Sequence, residues 1–162
     1  MTTATPLLGT PTALTLTLAS LASDTNLVAG RASTAVDNSS ADAIDFMVGG
    51  KVTTGTSPTA SRQIEIWLYG SYDGTSYSGG ATGSDANLTP QAKTLLRLLT
   101  VIPTTSTSNQ LYTWGPFSVA QAFGGIVPYE WGVYVVHNTG VALNATGGNH
   151  EAIYTSVKYE SA

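Results

Sequence analysis

The chain has 162 residues and a formal net charge of −4, and only 10% of its residues are charged, against about 25% in a typical soluble domain. Its 6 basic residues are too few for a surface that tracks a phosphate backbone, so we expect no nucleic-acid binding. The absence of cysteine excludes disulfides, thiolate metal sites and cysteine nucleophiles.

The N-terminal segment, residues 1–12, contains two prolines and a glycine and is predicted to form an extended arm before the first strand. Residues 13–162 are predicted to form a single domain, because the length fits one domain and no linker or repeat interrupts it. No apolar run approaches the roughly 18 residues of a membrane span, and the N-terminus lacks a basic region before an apolar stretch. We therefore expect neither a membrane segment nor a signal peptide.

Alternation of apolar and polar residues with a period of two dominates the rest of the chain and predicts β-strands. In residues 14–18, leucine alternates with threonine, which gives one apolar face and one hydroxyl-bearing face. Gly49 and Gly50 predict a bulge inside a longer strand. The predicted strands lie at residues 14–18, 27–36, 43–53, 64–69, within 88–102, 111–118, 131–137 and 153–159. About eight strands separated by turns are typical of an all-β, antiparallel β-sandwich of jelly-roll type.

The segments between the strands are rich in glycine, serine and threonine. Asp73 and Gly74 predict a tight turn, because this dipeptide supplies the positive φ angles that such turns need. Residues 76–86 are predicted to form a long, exposed and mobile loop. Residues 118–123 are predicted to form one helical turn that ends at the following pair of glycines.

The two histidines are the first candidates for a metal site. His137 and His150 could approach each other if their strands pair antiparallel. A metal site needs three or four converging ligands, and the remaining candidates, Glu130 and Glu151, have no diagnostic spacing. We therefore expect both histidines to bond to the backbone, and we expect neither a metal nor a cofactor.

Carboxylates beside aromatic residues suggest carbohydrate binding as an alternative function. Glu65 shares a strand face with Trp67 and Tyr69, and Glu130 lies between two aromatic residues. Such a surface could stack on a sugar ring and bond to its hydroxyls. A hydrolase would rest on the same two glutamates and the histidines. Because no G-x-S-x-G elbow or phosphate-binding glycine loop is present, we expect a protein without enzymatic activity.

Three tryptophans are candidate anchors of the core or of an interface. Trp67, Trp114 and Trp131 all fall in predicted strands, where most tryptophans pack in the core. Tryptophan is also enriched at binding hot spots. We therefore take Trp67 and Trp114 as candidate contacts with a partner.

The C-terminal third of the chain and one turn resemble small β-sandwich virion proteins of tailed bacteriophages. The composition, which is low in charge, free of cysteine and rich in serine, threonine, alanine and glycine, also matches that group. The residues that carry the resemblance are Phe123-Gly124-Gly125, Pro128, Trp131-Gly132-Val133, Asn138-Thr139-Gly140, Leu143, Asn144, and Gly70 to Thr75 followed by Tyr77.

The resemblance implies a capsid decoration (cement) protein that contacts several capsid subunits. Such proteins often form trimers over junctions between capsomers, so the implied partners are further copies of the chain, the major capsid protein and other virion proteins. Arm 1–12 would lie along a neighbouring subunit, with Leu7 and Leu8 as its anchors. The implied location is the virion, after synthesis in the host cytoplasm. The alternative is a carbohydrate-binding module on a phage tail or head surface.

Overall fold

A computed structural model describes residues 4–161 and contains two antiparallel β-sheets that pack as a sandwich. This confirms the predicted all-β class. One helical turn, α1 (Val119–Ala122), and three 3-10 turns connect the strands. The strands are β1 (Ala4–Leu8), β2 (Thr12–Ala13), β3 (Gly30–Ala32), β4 (Val36–Asp37), β5 (Asp45–Thr53), β6 (Arg62–Ser71), β7 (Ala86–Leu88), β8 (Arg97–Thr104), β9 (Leu111–Ser118), β10 (Glu130–His137) and β11 (Glu151–Ser161).

The two sheets divide the strands almost equally. The first sheet has the order β1-β11-β5-β9, and β2 also pairs with β11. The second sheet has the order β7-β3-β10-β6-β8, and β4 also pairs with β10. The long predicted strands are confirmed as β5, β6, β9, β10 and β11, and the strand predicted within 88–102 is confirmed as β8, which extends to Thr104. The other strands, β1, β2, β3, β4 and β7, are short segments of two to five residues. The predicted bulge is confirmed too, because the register between β5 and β9 shifts between Val48 and Gly50.

The main core lies between the sheets and follows the period-two pattern of the strands. Three alternating residues of β6 are fully buried there, namely Ile64, Ile66 and Leu68. The centre of the core is aromatic: the Trp131 ring centroid lies 5.4 Å from that of Phe46 and 5.8 Å from that of Tyr154. The strand alternation read from the sequence therefore identifies the inner face correctly.

The outer face of the second sheet carries a second core, which the sequence did not indicate. Tyr69, Tyr134 and Val136 are fully buried on this face. Residues 72–96 cover them, with Ala81, Leu88 and Leu96 packed underneath. The prediction of an exposed, mobile loop at 76–86 is therefore wrong, because this glycine-rich segment follows the surface of the sheet and buries apolar side chains against it.

Two predicted strands, at residues 14–18 and 27–36, differ from the structure. Residues 14–18 show the expected burial alternation, with Leu14 and Leu18 buried, but they form no regular ladder. This segment crosses from β11 in the first sheet, where the Leu14 amide bonds to Ala152, to residues beside the second sheet. The predicted strand 27–36 is reduced to β3 and β4.

The predicted helical turn is confirmed as α1. The Ser118 hydroxyl caps it by accepting the Gln121 amide at 3.0 Å. Gly124 (φ 82°) and Gly125 (φ 106°) then reverse the chain in a conformation that favours glycine.

Three of the four sheet edges contain a proline. Pro6 lies in β1 and Pro116 in β9, the two edges of the first sheet. Pro103 lies in β8, one edge of the second sheet, and β7 at the other edge has only three residues. Proline lacks an amide donor, and a short strand has few backbone groups that could bond to a neighbour. These edges therefore resist pairing with another strand.

Candidate functional site

The loops of the sandwich gather at two opposite ends, because the strands of each sheet run antiparallel. The first group, which we call the cap end, consists of residues 19–29, 54–61, 105–110 and 138–150. The second group, which we call the ribbon end, consists of residues 38–44, 72–77, 119–129, and β1 with the last residues of β11. The loops within each group bond to one another: Asn144 donates to Asn109 at 2.8 Å at the cap end, and the Asn38 amide donates to Tyr129 at 2.9 Å at the ribbon end.

β1 and the end of β11 form a two-stranded ribbon. β11 pairs with β5 only as far as Val157, which lies opposite Asp45. Residues 158–161 then pair with β1 alone. Because β1 is a strand of the first sheet, the prediction that residues 1–12 precede the first strand is wrong for residues 4–8, and residues 1–3 lie outside the described part. Every residue of β1 is exposed, since no second sheet covers the ribbon.

The ribbon end concentrates exposed apolar side chains. Of the 11 large hydrophobic side chains that are exposed within the described residues, seven lie here. Four of them are more than half exposed, namely Tyr72 (89%), Ile126 (79%), Leu8 (67%) and Tyr159 (62%). The other three are Leu7, Ile44 and Tyr129. Single exposed apolar residues are common, but a group at one end of a domain is typical of an interaction surface.

A turn with internal hydrogen bonds holds Tyr72 at the surface. The carboxylate of Asp73 accepts the amides of Ser76 at 2.7 Å and Thr75 at 2.9 Å, and the Ser71 hydroxyl donates to it at 2.9 Å. These hydrogen bonds keep the pKa of Asp73 well below its usual range. The exposed tyrosine therefore stands on a fixed backbone.

A second connection at this end presents Ile126. Asp45 accepts the Ser118 hydroxyl at 2.6 Å and the Ala120 amide at 2.8 Å, which fixes the start of α1 to β5. The glycine pair after α1 turns the chain outward, and Ile126 follows directly. On the other side, buried Val127 returns the chain to the core.

A tyrosine–glutamate contact joins two loops of the ribbon end. The Tyr77 hydroxyl donates to the carboxylate of Glu130, at the start of β10. This hydrogen bond, together with burial, raises the pKa of Tyr77 to about 12. The contact connects the Tyr72 turn to the residue that follows exposed Tyr129.

The cap end has the opposite character. Residues 54–61, 105–110 and 138–149 contain no aspartate, glutamate, lysine or arginine and are rich in serine, threonine and asparagine. Within the described residues, none of the cap-end loops carries a large exposed hydrophobic side chain. The polar composition of these loops is typical of a solvent-exposed surface.

The two histidines lie beneath the cap end and bond to their own chain. His137 is fully buried between the Leu21 carbonyl and the Thr139 hydroxyl, each at 3.0 Å. His150 lies 2.8 Å from the Asn144 carbonyl and accepts the Thr53 amide. Burial lowers the pKa of both imidazoles. Within residues 4–161, no group of three or more histidines and carboxylates could hold a metal ion.

The candidate partner contacts fall in different environments. Leu7 and Leu8 are 43% and 67% exposed at the ribbon end. Trp114 is only 7% exposed and belongs to the main core, so it offers little surface to a partner. Trp67 is half-buried on the outer face of the second sheet, away from the ribbon.

The proposed carbohydrate platform around Glu65 is closed by its own chain. Lys93 pairs with the Glu65 carboxylate and lies 4.8 Å from the centre of the Trp67 ring. The indole nitrogen of Trp67 and the amide of Gln63 also donate to this carboxylate, at 2.9 and 2.7 Å. Tyr69, the third member, is fully buried. The expectation of an open platform here is therefore wrong, because residues 72–96 cover it.

The second platform, around Glu130, is also incomplete. Trp131 is fully buried in the main core, and Glu130 is engaged by Tyr77. Only Tyr129 is exposed, so no pair of aromatic rings flanks an open carboxylate.

A cleft of about 610 Å³ lies between residues 17–24, 29–31 and 87–89. Two of its polar side chains, Arg31 and Thr17, are already bonded to the neighbouring Asp85, each at 2.6 Å. The cleft therefore offers few free groups that converge on a ligand.

The sequence reasoning missed Tyr72, Ile126 and Tyr129. Tyr72 directly precedes the Asp-Gly turn, and Ile126 directly follows the glycine pair. A large apolar residue at the tip of a tight connection has no neighbour that could bury it. This position in the sequence was the available signal.

Comparisons with family models, with curated proteins and with solved structures gave no match for this chain. No helix among residues 4–161 is long and apolar enough to cross a membrane.

Proposed function

We propose that this chain is a non-enzymatic structural protein that docks on a protein assembly through its ribbon end. The observation that carries the proposal is the concentration of exposed apolar side chains at one end of the sandwich. The hydrophobic effect favours covering these side chains, and the hydrogen-bonded turn around Asp73 holds the backbone next to Tyr72 in place before contact. A preorganised surface loses little conformational entropy on binding.

The proline-interrupted edges support docking through side chains rather than through strand addition. A partner strand added to β1 would face Pro6, which offers no amide hydrogen. The apolar side chains of the ribbon, such as Leu8 and Tyr159, remain available to a surface above it.

The resemblance to phage virion proteins supports a capsid decoration role as the specific form of this proposal. The major capsid protein would then be the partner, and the virion the location. A trimer remains a prediction from the same resemblance, to be tested by the mass in solution. The cap end, whose loops carry few charges, would face outward from the shell.

Cosedimentation with capsid shells that lack the protein tests the docking proposal. Tyr72→Ser and Ile126→Ser remove the two most exposed apolar side chains, and their stability should change by less than about 0.5 kcal/mol because neither side chain is buried. Bound protein should fall at least about tenfold in the double variant, since buried aromatic and aliphatic anchors dominate interfaces.

A matched control removes side-chain atoms at the cap end. Thr56→Ala and Thr146→Ala alter two exposed positions there and should leave binding unchanged. Equal loss in both double variants, or unchanged binding in both, would refute a role for the ribbon end.

A further inference from the structure

The acidic residues are distributed unevenly between the two ends. Six of the ten lie at or beside the ribbon end, and the cap end holds Asp24. The six are Asp37, Asp42, Asp45, Asp73, Glu130 and Glu160. Asp37, Asp42, Asp73 and Glu160 are exposed, and Asp73 and Glu160 directly follow the exposed Tyr72 and Tyr159.

Away from the ribbon end, the acidic and basic residues are equal in number, so their charges sum to zero. Three ion pairs within the described residues join Arg31 to Asp85, Lys51 to Glu151 and Lys93 to Glu65. Asp24 and Arg62 at the cap end also sum to zero. The six ribbon-end acids face only two bases, Arg97 and Lys158, which leaves six minus two, or four, negative charges there. This equals the net charge of the whole chain, −4.

Two carboxylates at this end, Asp37 and Asp73, have pKa values below their usual range because they accept hydrogen bonds. Hydrogen bonds from Ser39 lower the pKa of Asp37, and the amides of Ser76 and Thr75 lower that of Asp73. Their donors belong to the backbone and side chains of the same loops, not to basic residues. The negative field therefore extends outward from the apolar surface.

We propose that the ribbon end recognises a protein surface whose apolar patch is surrounded by lysine or arginine. This inference rests on the proposed docking function and names the chemistry of the partner. A second copy approaching end to end would bring two groups of like charge together, which costs free energy. Nucleic acids and anionic lipid surfaces are disfavoured for the same reason.

This charge complementarity predicts a binding rate and affinity that depend on salt. Opposite charges around an interface accelerate the encounter and fix the register, and salt weakens them when they are exposed. The apolar anchors supply attraction that salt does not screen. A partner of this type would therefore bind more weakly, but still detectably, at high ionic strength.

Two short peptides test the inference by nuclear magnetic resonance of the full-length protein. The first alternates lysine with phenylalanine and leucine, and the second carries glutamate in place of each lysine. We expect the lysine peptide to shift amide signals at residues 72–77, 124–126 and β1, while residues 54–61 and 105–110 stay unchanged. Raising the salt from about 0.05 to 0.5 M should weaken its apparent affinity about tenfold.

Charge-neutralising variants test whether the ribbon-end carboxylates contribute to binding of the lysine peptide. Asp42→Asn and Asp73→Asn together should weaken binding of the lysine peptide several-fold, because asparagine can keep both turn conformations. Glu151→Gln removes the same kind of charge from the start of β11, next to the cap end, and should have no effect.

Equal shifts with both peptides, or equal effects of all three substitutions, would overturn the inference. Shifts at the ribbon end that grow with protein concentration alone would also overturn it, by showing that a second copy is the occupant. These outcomes are distinct from failure of the docking proposal, which the cosedimentation of the Tyr72 and Ile126 variants decides.

Discussion

Pro6 lies opposite Tyr159 in the pairing of β1 with β11, at a position where the ladder needs no hydrogen bond from proline. The Gly9 amide donates to the Ser156 carbonyl at 2.8 Å. Because bonded and non-bonded pairs alternate along an antiparallel ladder, the Pro6 nitrogen faces the free edge. The first sheet thus ends in a strand that cannot donate from its middle residue.

Replacing this proline should therefore expose a pairing edge. Pro6→Ala restores an amide hydrogen at the centre of the β1 edge, and we predict greater self-association in sedimentation velocity, while the stability of the monomer changes by less than about 0.5 kcal/mol. Thr5→Ala is the matched control, because the Thr5 amide points toward β11. Equal association of both variants would contradict the assignment of Pro6 as an edge blocker.

The Lys93–Glu65 ion pair should fasten residues 72–96 to the second sheet. Lys93→Met leaves a carboxylate whose side chain is only 8% exposed without its cation, and we predict a loss of about 2–3 kcal/mol in the free energy of unfolding. The double variant Lys93→Met with Glu65→Gln should recover at least half of this loss, because no buried charge remains. Denaturant unfolding measures both values, and additive losses would argue against coupling.

The buried histidines should make the protein sensitive to mild acid. Burial lowers the pKa of His137 and His150 in the folded protein, so the unfolded chain binds protons first as the pH falls below about 6.5. Stability is therefore intact above this pH and is lost below it, by up to about 1.4 kcal/mol per pH unit for each histidine.

Unfolding curves between about pH 7 and 5 test this dependence. The slope should be reduced in His137→Gln, which cannot take up the proton. The aspartates whose pKa is lowered change the stability only at more acidic pH, so they do not contribute to the slope between about pH 7 and 5. A stability that is constant over the range would contradict the account.

Ser33 should stabilise the gap between β3 and β4. Its hydroxyl oxygen accepts the Val133 amide at 2.9 Å and donates to the Thr34 carbonyl at 2.7 Å. Ser33→Ala leaves that buried amide without its partner, and we predict a loss of about 1–3 kcal/mol. Ser39→Ala, at an exposed position, should cost less than about 0.5 kcal/mol. Thermal unfolding of the two variants measures both losses of stability.

The sequence predicted the features that depend on local pattern. Alternation in Ile64, Ile66 and Leu68 identified a central strand and its inner face, and the glycine pair after α1 identified the end of a helical turn. Both signals arise from neighbouring residues, whose side chains alternate in a strand or require a particular φ angle.

The sequence did not predict the features that depend on distant parts of the chain. The burial of Tyr69 depends on residues 72–96 folding over the sheet, and serine and glycine gave no sign of this cover. Pairing of β1 with β11 joins the two ends of the described chain, which no local pattern encodes. The ribbon end could not be assembled from the sequence for the same reason, because its side chains come from five separate segments.

The most direct test of the central claim is hydrogen–deuterium exchange of the protein, free and in the presence of the capsid shell that we propose as its partner. We predict slower exchange on binding in residues 4–8, 72–77 and 124–129, and unchanged exchange in residues 54–61 and 105–110. Protection confined to the cap-end segments, with the ribbon end unchanged, would contradict the account.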